Sequence, residues 1–507
     1  KNIIQTEGFT QLRTNWNEHP AMLKPLLDRN FALGVNKLFF HVFVHNPYTD
    51  KAPGTTLDGI GLYFQRDQTW WEPGKAFVDY ISRCQSMLQY GKPVVDIAVF
   101  TGEEIPSRAL TPDKLVPLLP GIVGKERVES EQKRLANIGQ PMHEMPSGVN
   151  HSANILKAED WINPLNGYAY DSFNKDMLLQ LKKFDTNKKE SLQNENYAVL
   201  IFPKQSNILT KKSAYSKEII QKIDSLKEAG ANIIENRIVN SSDFSLYGLS
   251  PDIIVPKNIA WNHRTGKKAN IYFISNQENC ERNIDVTLRF WGKEISVWNP
   301  VNGEIQLIDS KTETRAGTKI NLNLAPFQSL FIVFSNLDLC SNNSYCTPDT
   351  TVISEKWKIE YPKNNQTIYN TTLFDWTKSE NPFIKYYSGT AVYKTNFITT
   401  TDYSNYKLYF PVYLNLGKVC NIATVRVNGV DCGTAWTAPY EVNITKALKK
   451  GNNSLEIEVT NTWANAINGW DNGIPPFAGI WTDGKYRMKE NKLLEAGLLG
   501  PVKIIRK

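Results

Sequence analysis

The chain has 507 residues, which is too long for a single domain and suggests about three. Its 41% hydrophobic and 21% charged residues are typical of a globular protein, and its net charge of +7 is spread over scattered lysines without the signature of a nucleic-acid-binding module. The scattered charge therefore predicts no nucleic-acid partner. No apolar run reaches 18 residues, so the sequence predicts no membrane span.

The first residues predict a short buried strand that ends on a carboxylate. Residues 3–6 lead into Glu7, and Gly8 and Phe9 follow at once. In (β/α) barrels the active site lies at the C-terminal ends of the strands, so this position favours a catalytic role for Glu7. The alternative is a solvated loop residue, which is the commoner interpretation of a single Glu after an apolar run.

A second strand is predicted at residues 37–43, after a helix at 23–33. His41 and His45 lie at or just past its end, and the loop from Pro47 to Trp71 is dense in Gly, Pro and aromatic residues. Neutral imidazoles there can hydrogen-bond sugar hydroxyls, although either histidine could instead be a core or loop residue. The acid, the two histidines and the aromatic loop together suggest a sugar-binding pocket.

The strand–helix alternation continues with a helix at 77–89 and a strand at 94–100 that is apolar throughout, as a buried parallel strand should be. We therefore interpret residues 1–100 as the C-terminal part of a (β/α)8 catalytic barrel. Only about three of the strands needed for closure are visible, so the chain is expected to begin in mid-barrel. An N-terminal part of the same enzyme, or a signal, would precede Lys1.

The remaining chain predicts three further units, so that the fold class is multidomain α/β plus all-β. Residues 101–257 indicate an α/β domain with a long insertion at 106–148 and a helix at 216–229 that ends before Gly230. Residues 258–335 show the period of two that is typical of a β-sandwich, with a hairpin turn at Asn302-Gly303. After a polar linker, residues 352–507 indicate a galactose-binding-like jelly roll with a turn at Asn428-Gly429.

Six cysteines are too few for a disulfide scaffold, and their spacing gives no zinc motif. Cys340 and Cys346 bracket a short loop and either form a disulfide or remain buried thiols. Cys420 and Cys432 lie on strands that are predicted to be neighbours.

A series of motifs runs along the chain in a fixed order. They include Glu7-Gly8-Phe9-Thr10, Gly34-Val35-Asn36, Arg66 with Thr69-Trp70-Trp71, Trp261-Asn262-His263-Arg264, Trp298-Asn299-Pro300 and Asn461-Thr462-Trp463. Together they resemble glycoside hydrolase family 106, the α-L-rhamnosidases. The resemblance extends over essentially the whole chain and is carried by the order of the motifs more than by any one of them. After Trp463 this chain has Ala464-Asn465-Ala466 where the family usually has an Asn-Arg pair.

The resemblance implies that Glu7 is one of two catalytic carboxylates, with the other upstream of this chain. Such enzymes are thought to invert, which would make Glu7 the general base; a retaining enzyme would use it as the nucleophile. His41 and His45 would contact sugar hydroxyls. The family also allows for a calcium ion, but the sequence shows no EF-hand-like loop or dense Asp cluster to hold it.

Four further residues are candidate substrate contacts. Arg66 would bridge to Glu7 or to substrate, or else pair with Asp67. One of Trp70 and Trp71 would stack on the deoxy face of rhamnose, because adjacent residues of an extended strand point in opposite directions. His263 would reach the pocket if its domain folds back over the barrel, and the alternative is a buried interdomain salt link.

The leading hypothesis is a periplasmic or secreted glycoside hydrolase that removes terminal α-L-rhamnose from plant or microbial polysaccharides or glycosides. Its partner would be a rhamnose-containing glycan, and this chain on its own is expected to be inactive. The alternatives are a β-galactosidase-like glycosidase of other specificity and a non-catalytic carbohydrate-binding protein.

Overall fold

The computed structural model describes most of the chain. The described residues are 3–10, 14–57, 60–103, 165, 167–181, 197–202, 215–235, 244–292, 294–308, 310–335, 349–354, 356–370, 372–400, 411–488 and 492–506. The insertion predicted at 106–148, the cysteines Cys340 and Cys346, and a strand predicted at 407–410 lie outside these ranges.

The N-terminal part contains a parallel strand pair and two helices. Its elements are β1 (Gln5–Gly8), α1 (Pro20–Ala32), β2 (Lys37–Phe40), β3 (Ala52–Gly54), α2 (Lys75–Leu88) and β4 (Lys92–Pro93). Gln5 of β1 pairs with Lys37 of β2, and Gly8 pairs with Phe40. Proline suits the first turn of α1, because it has no backbone N–H to leave unsatisfied there.

Three strand predictions in this part need correction. The strand that opens the chain is not buried, since Ile3 and Ile4 are exposed and so are Gln5 and Glu7 of β1. The strand predicted at 37–43 ends at Phe40, because the chain then pairs elsewhere: the Val42 N–H donates to the Leu62 carbonyl at 2.7 Å. The strand predicted at 94–100 begins only at Ile97 and enters a separate parallel sheet, while β4 before it pairs with a strand of the following sandwich.

That parallel sheet belongs to a small α/β layer. Its elements are β5 (Ile97–Phe100), β6 (Tyr170–Phe173), α3 (Lys175–Gln180), β7 (Val199–Phe202), α4 (Lys217–Glu228) and β8 (Ile233–Glu235), with strand order β6-β5-β7-β8. β5 and β7 are apolar and fully buried, as central parallel strands should be. Gly230 follows α4 with a φ of 88°, which confirms its predicted place after the helix.

Two antiparallel sheets follow. Their strands are β9 (Ile253–Ile254), β10 (Ile259–Thr265), β11 (Ala269–Asn276), β12 (Arg282–Leu288), β13 (Glu294–Trp298), β14 (Ile305–Leu307), β15 (Lys311–Thr314), β16 (Gly317–Leu324) and β17 (Ser329–Ser335). The sheet orders are β14-β13-β17-β11-β10-β4 and β15-β16-β12-β9. An apolar core that includes Ile274, Val286 and Ile332 fills the space between them.

Helices α1 and α2 pack against the outer face of the first of these sheets. Phe31 of α1 meets Phe273 of β11 edge to face, with ring centroids 6.2 Å apart. Lys24 and Asp28 of α1 are fully buried, with the Lys24 Nζ 2.6 Å from Asp28 Oδ2. The same ammonium donates to the Ser329 hydroxyl of β17 at 2.9 Å, so a buried ion pair joins the helix to the sheet.

The C-terminal part is all-β apart from two short helices. Its elements are β18 (Asp349–Val352), β19 (Trp357–Tyr361), β20 (Gln366–Asn370), α5 (Pro382–Lys385), β21 (Thr390–Thr399), β22 (Val412–Asn415), β23 (Lys418–Cys420), β24 (Ile422–Val427), β25 (Val430–Ala435), β26 (Glu441–Asn443), β27 (Gly451–Thr460), α6 (Ala464–Asp471), β28 (Ile480–Thr482), β29 (Gly497–Gly500) and β30 (Lys503–Arg506).

The strands of this part form a six-stranded sheet, β20-β19-β21-β27-β24-β25, and a four-stranded sheet, β18-β30-β22-β26. One apolar core, drawn entirely from residues 353–504, lies between them. Asn428 and Gly429 join β24 to β25 with φ values of 52° and 78°, as the two-residue turn predicted there requires.

A (β/α) barrel is not confirmed. In the described part of the chain, β1 pairs only with β2, β3 pairs in parallel with β28 of the C-terminal part, and the remaining parallel strands belong to the separate sheet around β5. The described cysteines, which include Cys420 and Cys432, are free thiols. Within the same ranges, no helix is long and apolar enough to cross a membrane.

Candidate active site

Glu7 is the second-to-last residue of β1, and its side chain is exposed. It lies opposite Phe39 of β2, and the Thr10 hydroxyl donates a hydrogen bond to its Oε1. β1 and β2 approach closely because Gly8 has no side chain: a Cβ there would lie 2.4 Å from the Leu38 Cδ1. The carboxylate therefore stands at the C-terminal edge of a parallel strand pair, where the sequence places it.

His41 lies beside the end of β1. Its backbone N–H donates to the carbonyl of Gly8 at 2.9 Å, which continues the strand pairing by one residue. Its imidazole lies against Gly61, where a Cβ would be 2.6 Å from Nδ1. That nitrogen is buried and has no hydrogen-bond partner among the described residues. The imidazole has therefore kept hydrogen-bonding capacity next to the strand that carries Glu7.

His45 and Arg66 both belong to the loop region that follows β2. His45 is exposed, and its carbonyl accepts a hydrogen bond from the Thr55 hydroxyl at 2.6 Å. The Arg66 Nη2 donates to the carbonyls of Asn46 and Tyr48, at 2.9 and 3.1 Å. Its Nε lies 3.8 Å from Asp67 Oδ1, so Arg66 fixes this loop and pairs loosely with its neighbour in sequence.

The two adjacent tryptophans have different environments. Trp70 is only 3% exposed, its Nε1 donates to the carbonyl of Glu18 at 3.0 Å, and its ring meets Phe64 edge to face. Trp71 is 42% exposed. They lie in a turn rather than in the extended strand assumed from the sequence, but their side chains still diverge. The structure thus places Trp70 in the core and leaves Trp71 as the accessible ring.

His263 is enclosed in the sandwich. It is 6% exposed, its Nδ1 lies 2.8 Å from Asp252 Oδ2, and its ring stacks on Tyr272 with centroids 3.8 Å apart. Arg289 bridges the group to Asp96, at 2.6 Å from the Asp96 Oδ2. Of the two sequence-based interpretations of His263, this environment favours the buried interdomain link over substrate contact.

The pKa values of the Asp252 and Asp96 carboxyl groups shift in opposite directions. Burial alone would raise the pKa of Asp252, but His263, Arg289 and the Tyr272 hydroxyl together lower it. The pKa of Asp96 is raised, because its burial outweighs the attraction of Arg289. Asp252 is therefore held as the anion that faces the histidine.

The C-terminal part contacts the loops that follow β1 and β2, which the sequence did not reveal. β28 pairs in parallel with β3, Trp481 opposite Pro53, and the Trp463 Nε1 donates to the carbonyl of Asp67 at 2.7 Å. The Thr56 N–H donates to the Asp483 Oδ1 at 2.8 Å. Trp463 lies in a motif that the family resemblance had marked, but no local pattern indicates pairing between segments more than 400 residues apart.

A metal centre finds no support in this arrangement. In the part of the chain that the structure describes, no three His, Cys, Asp or Glu side chains are grouped so that they could hold a metal ion. The described residues therefore offer no such group for the calcium ion that the family resemblance implies.

Two family models match this chain. An α-L-rhamnosidase model of glycoside hydrolase family 106 matches residues 1–128 and 237–312, which include β1, β2 and the loop region between β2 and α2. The resemblance to family 106 is confirmed. A second model, described as the galactose-binding domain-like part of glycosyl hydrolase family 2, matches residues 349–485.

Among solved structures, a rhamnosidase from Novosphingobium sp. PP1Y superposes on 100% of this chain with a TM-score of 0.78 and 27% sequence identity. A putative beta-glucuronidase from Formosa agariphila is 31% identical over 368 residues, or 72% of this chain. Together with the family models, the rhamnosidase structure supports a glycoside hydrolase. The chain covers 48% of the rhamnosidase and 29% of the Formosa protein, so it spans less than half the length of either.

Proposed function

We propose that this protein hydrolyses glycosidic bonds to terminal α-L-rhamnose in plant or microbial glycans, with Glu7 as one of its catalytic carboxylates. The observation that carries the proposal is the position of Glu7, exposed at the C-terminal edge of the β1–β2 pair and inside the segment matched by the α-L-rhamnosidase model. That edge is where enzymes with parallel strands present catalytic side chains. Polymeric glycans are met outside the cytoplasm, so a periplasmic or secreted location belongs to the same proposal.

In the proposed inverting mechanism, Glu7 acts as the general base. The Thr10 hydroxyl engages Oε1 and so orients the carboxylate. Glu7 takes a proton from a water molecule as that water attacks the anomeric carbon, while an acid on the opposite side of the sugar protonates the departing glycosidic oxygen. We assign that acid to no described residue of this chain and propose that it comes from another part of the enzyme, so that the chain alone is inactive.

The sugar would be held by residues around this edge. The imidazole of His45 is exposed and can offer a hydrogen bond to a hydroxyl. His41 is half-buried with its Nδ1 enclosed against Gly61, so we propose that its other ring nitrogen meets the sugar. The exposed ring of Trp71 offers an apolar wall for the methyl group of a 6-deoxy sugar. We place Arg66 in a supporting role, because its guanidinium holds the loop backbone.

The test is hydrolysis of an aryl α-L-rhamnoside by the full-length enzyme. Glu7→Gln keeps the shape of the side chain but removes the proton acceptor, so kcat should fall by about two to four orders of magnitude with little change in rhamnose binding. Glu72→Gln, at an exposed carboxylate after Trp71, is the matched control and should retain activity. Near-normal turnover by Glu7→Gln would reject the assignment.

A different glycosidic specificity is the second candidate, and one observation favours testing it. The Formosa relative is named as a putative beta-glucuronidase. The full-length enzyme should therefore be offered an aryl β-D-glucuronide and an aryl β-D-galactoside beside the rhamnoside. Hydrolysis of one of those alone would replace the rhamnosidase proposal, and no hydrolysis of any glycoside together with sugar binding would favour a carbohydrate-binding protein.

A further inference from the structure

Two aromatic rings from opposite ends of the sequence meet beside the loop that follows β2. Tyr48 belongs to the loop after β2, and Trp481 is the central residue of β28. Their ring centroids are 5.2 Å apart with the planes at 76°, and Tyr48 is 38% exposed. Trp481 is half-buried, so the two rings together form a partly exposed aromatic surface that neither part of the chain has alone.

The backbone on both sides of this ring pair is fixed. β28 lies in register with β3, and the Ala52 N–H donates to the carbonyl of Gly479 at 2.9 Å. On the Tyr48 side, the Arg66 guanidinium holds the Tyr48 carbonyl, and the Tyr48 N–H donates to Asn46 Oδ1 at 3.3 Å. The rings are thus positioned by two segments that are themselves hydrogen-bonded.

A lysine lies over both rings. The Lys51 Nζ is 4.5 Å from the centroid of Tyr48 and 5.2 Å from that of Trp481. Among the residues that the structure describes, no carboxylate lies within ion-pair distance of this ammonium. The nearby Asp67 and Asp483 bind the Asn46 amide and the Thr56 N–H. A cation that rests on aromatic faces without an anionic partner remains able to bind an anion.

The location relates this cluster to the chemistry. Tyr48 and Lys51 lie on the loop that leaves the C-terminal end of β2, and Glu7 stands at the same end of β1. If the enzyme removes terminal sugars, that terminal sugar lies at Glu7, and the sugar to which it is attached lies next to it. A ring face suited to a sugar C–H surface and an adjacent cation match a sugar residue that carries an acidic group.

We propose that Tyr48, Trp481 and Lys51 form a binding site for an acidic sugar residue on the leaving-group side of the scissile bond. The aromatic rings pack against the apolar face of that sugar, and Lys51 pairs with its carboxylate or sulfate group. This inference rests on the proposed function, because a leaving-group site presupposes a cleaved terminal sugar. It makes the C-terminal part a determinant of substrate choice.

Calorimetric titration of the full-length enzyme, with Glu7→Gln to keep the disaccharides intact, tests the proposal with four probes. The first is the carboxylate probe, α-L-rhamnosyl-(1→4)-D-glucuronic acid. The second is its neutral counterpart, in which D-glucose replaces the glucuronic acid, and the third is that neutral disaccharide with a sulfate on O6 of the glucose. The fourth is free L-rhamnose. At low salt, one or both acidic disaccharides should bind more tightly than the neutral one by roughly fivefold, the upper range for an exposed ion pair. The stronger of the two acids identifies the acidic group.

Two variants locate the effect. Lys51→Met should abolish the preference for acid and leave the neutral disaccharide unchanged, whereas Lys450→Met, at an exposed lysine, should keep the preference. Trp481→Ala should weaken all three disaccharides about tenfold, the effect of uncovering on the order of 50 Å² of apolar surface. Tyr369→Ala, at a ring that is 75% exposed, is its control.

The outcomes separate this proposal from the proposed function. Equal binding of acidic and neutral disaccharides, or an acid preference that survives Lys51→Met, overturns the acidic-sugar site. Unchanged disaccharide affinity in Trp481→Ala overturns the role of the ring pair. Failure of free L-rhamnose to bind, with an acid preference that still depends on Lys51, instead counts against the rhamnosidase proposal and supports a site for acidic sugars.

Discussion

The buried ion pair of α1 yields the sharpest prediction about stability. Asp28 accepts hydrogen bonds from the Tyr80 hydroxyl at Oδ1 and from Lys24 and Ser275 at Oδ2, at 2.6 and 3.0 Å. Lys24 and Asp28 are both fully buried. Asp28→Ala would leave the Lys24 ammonium in the core with only neutral acceptors. We expect this to cost about 3–5 kcal/mol, the usual penalty for an uncompensated buried charge.

The chain offers a matched control for that experiment. Lys75 and Asp79 form an ion pair with the same spacing and the same 2.6 Å separation on the exposed side of α2. Asp79→Ala should cost only about 0.3–0.5 kcal/mol. Urea unfolding followed by tryptophan fluorescence measures both, with the midpoint of the transition as the readout because a chain with several cores need not unfold in one step.

A double variant tests the physical reason. Lys24→Met combined with Asp28→Asn removes the charge together with its partner, and the amide oxygen of the introduced asparagine can still accept a hydrogen bond from Tyr80 or Ser275. The double variant should be more stable than Asp28→Ala, because no unpaired charge remains. Equal losses for Asp28→Ala and Asp79→Ala, or a double variant less stable than the single one, would refute the reasoning.

Two further predictions concern other parts of the molecule. Since the folded state lowers the pKa of Asp252, the stability that this carboxylate contributes should be fully present above about pH 4 and lost as the pH falls through the folded-state pKa. Unfolding midpoints of the wild type and Asp252→Asn should therefore differ at pH 7, and the difference should shrink as the pH falls below about 4. A constant difference would contradict this. Residues 352–507 alone should give a soluble β-protein that unfolds cooperatively, because their apolar core is self-contained. A helical or disordered circular dichroism spectrum would contradict that. In the whole chain Trp436 contacts Phe77 and Tyr80, so the isolated fragment, which lacks both contacts, should be less stable than the same part within the whole chain.

Local patterns predicted local structure well. The period of two over residues 258–335 indicated an all-β part, and the Asn428-Gly429 pair indicated its hairpin, because a two-residue turn needs two residues that tolerate positive φ. The apolar run that ends at Phe100 was correctly assigned to a buried parallel strand. Its sheet was not, because a buried strand looks the same whichever parallel neighbours it has.

The candidate site residues show the same difference between local signals and long-range contacts. The position of Glu7 at a strand end could be predicted, because an apolar run followed by an acid and a glycine is a local signal. The sequence could not show which of Trp70 and Trp71 is buried, because the two are the same residue type at adjacent positions. Trp70 is the buried one because it contacts Phe64 and the Glu18 carbonyl. His263 likewise needed its partner Asp252, whose identity depends on how two strands pack and not on their sequences.

The pairing of β3 with β28 shows why the sequence could not predict the contacts between the two ends of the chain. β3 has three residues and β28 has three, and neither is long enough to predict its own partner. They pair because the cores on either side bring them together. Trp481 gains its proposed function only through that pairing, since it is the register opposite Pro53 that sets its ring beside Tyr48. A carboxylate at a strand end can therefore suggest a class of reaction from sequence alone, whereas the residues that would select the substrate become visible only when both ends of the chain are seen in contact.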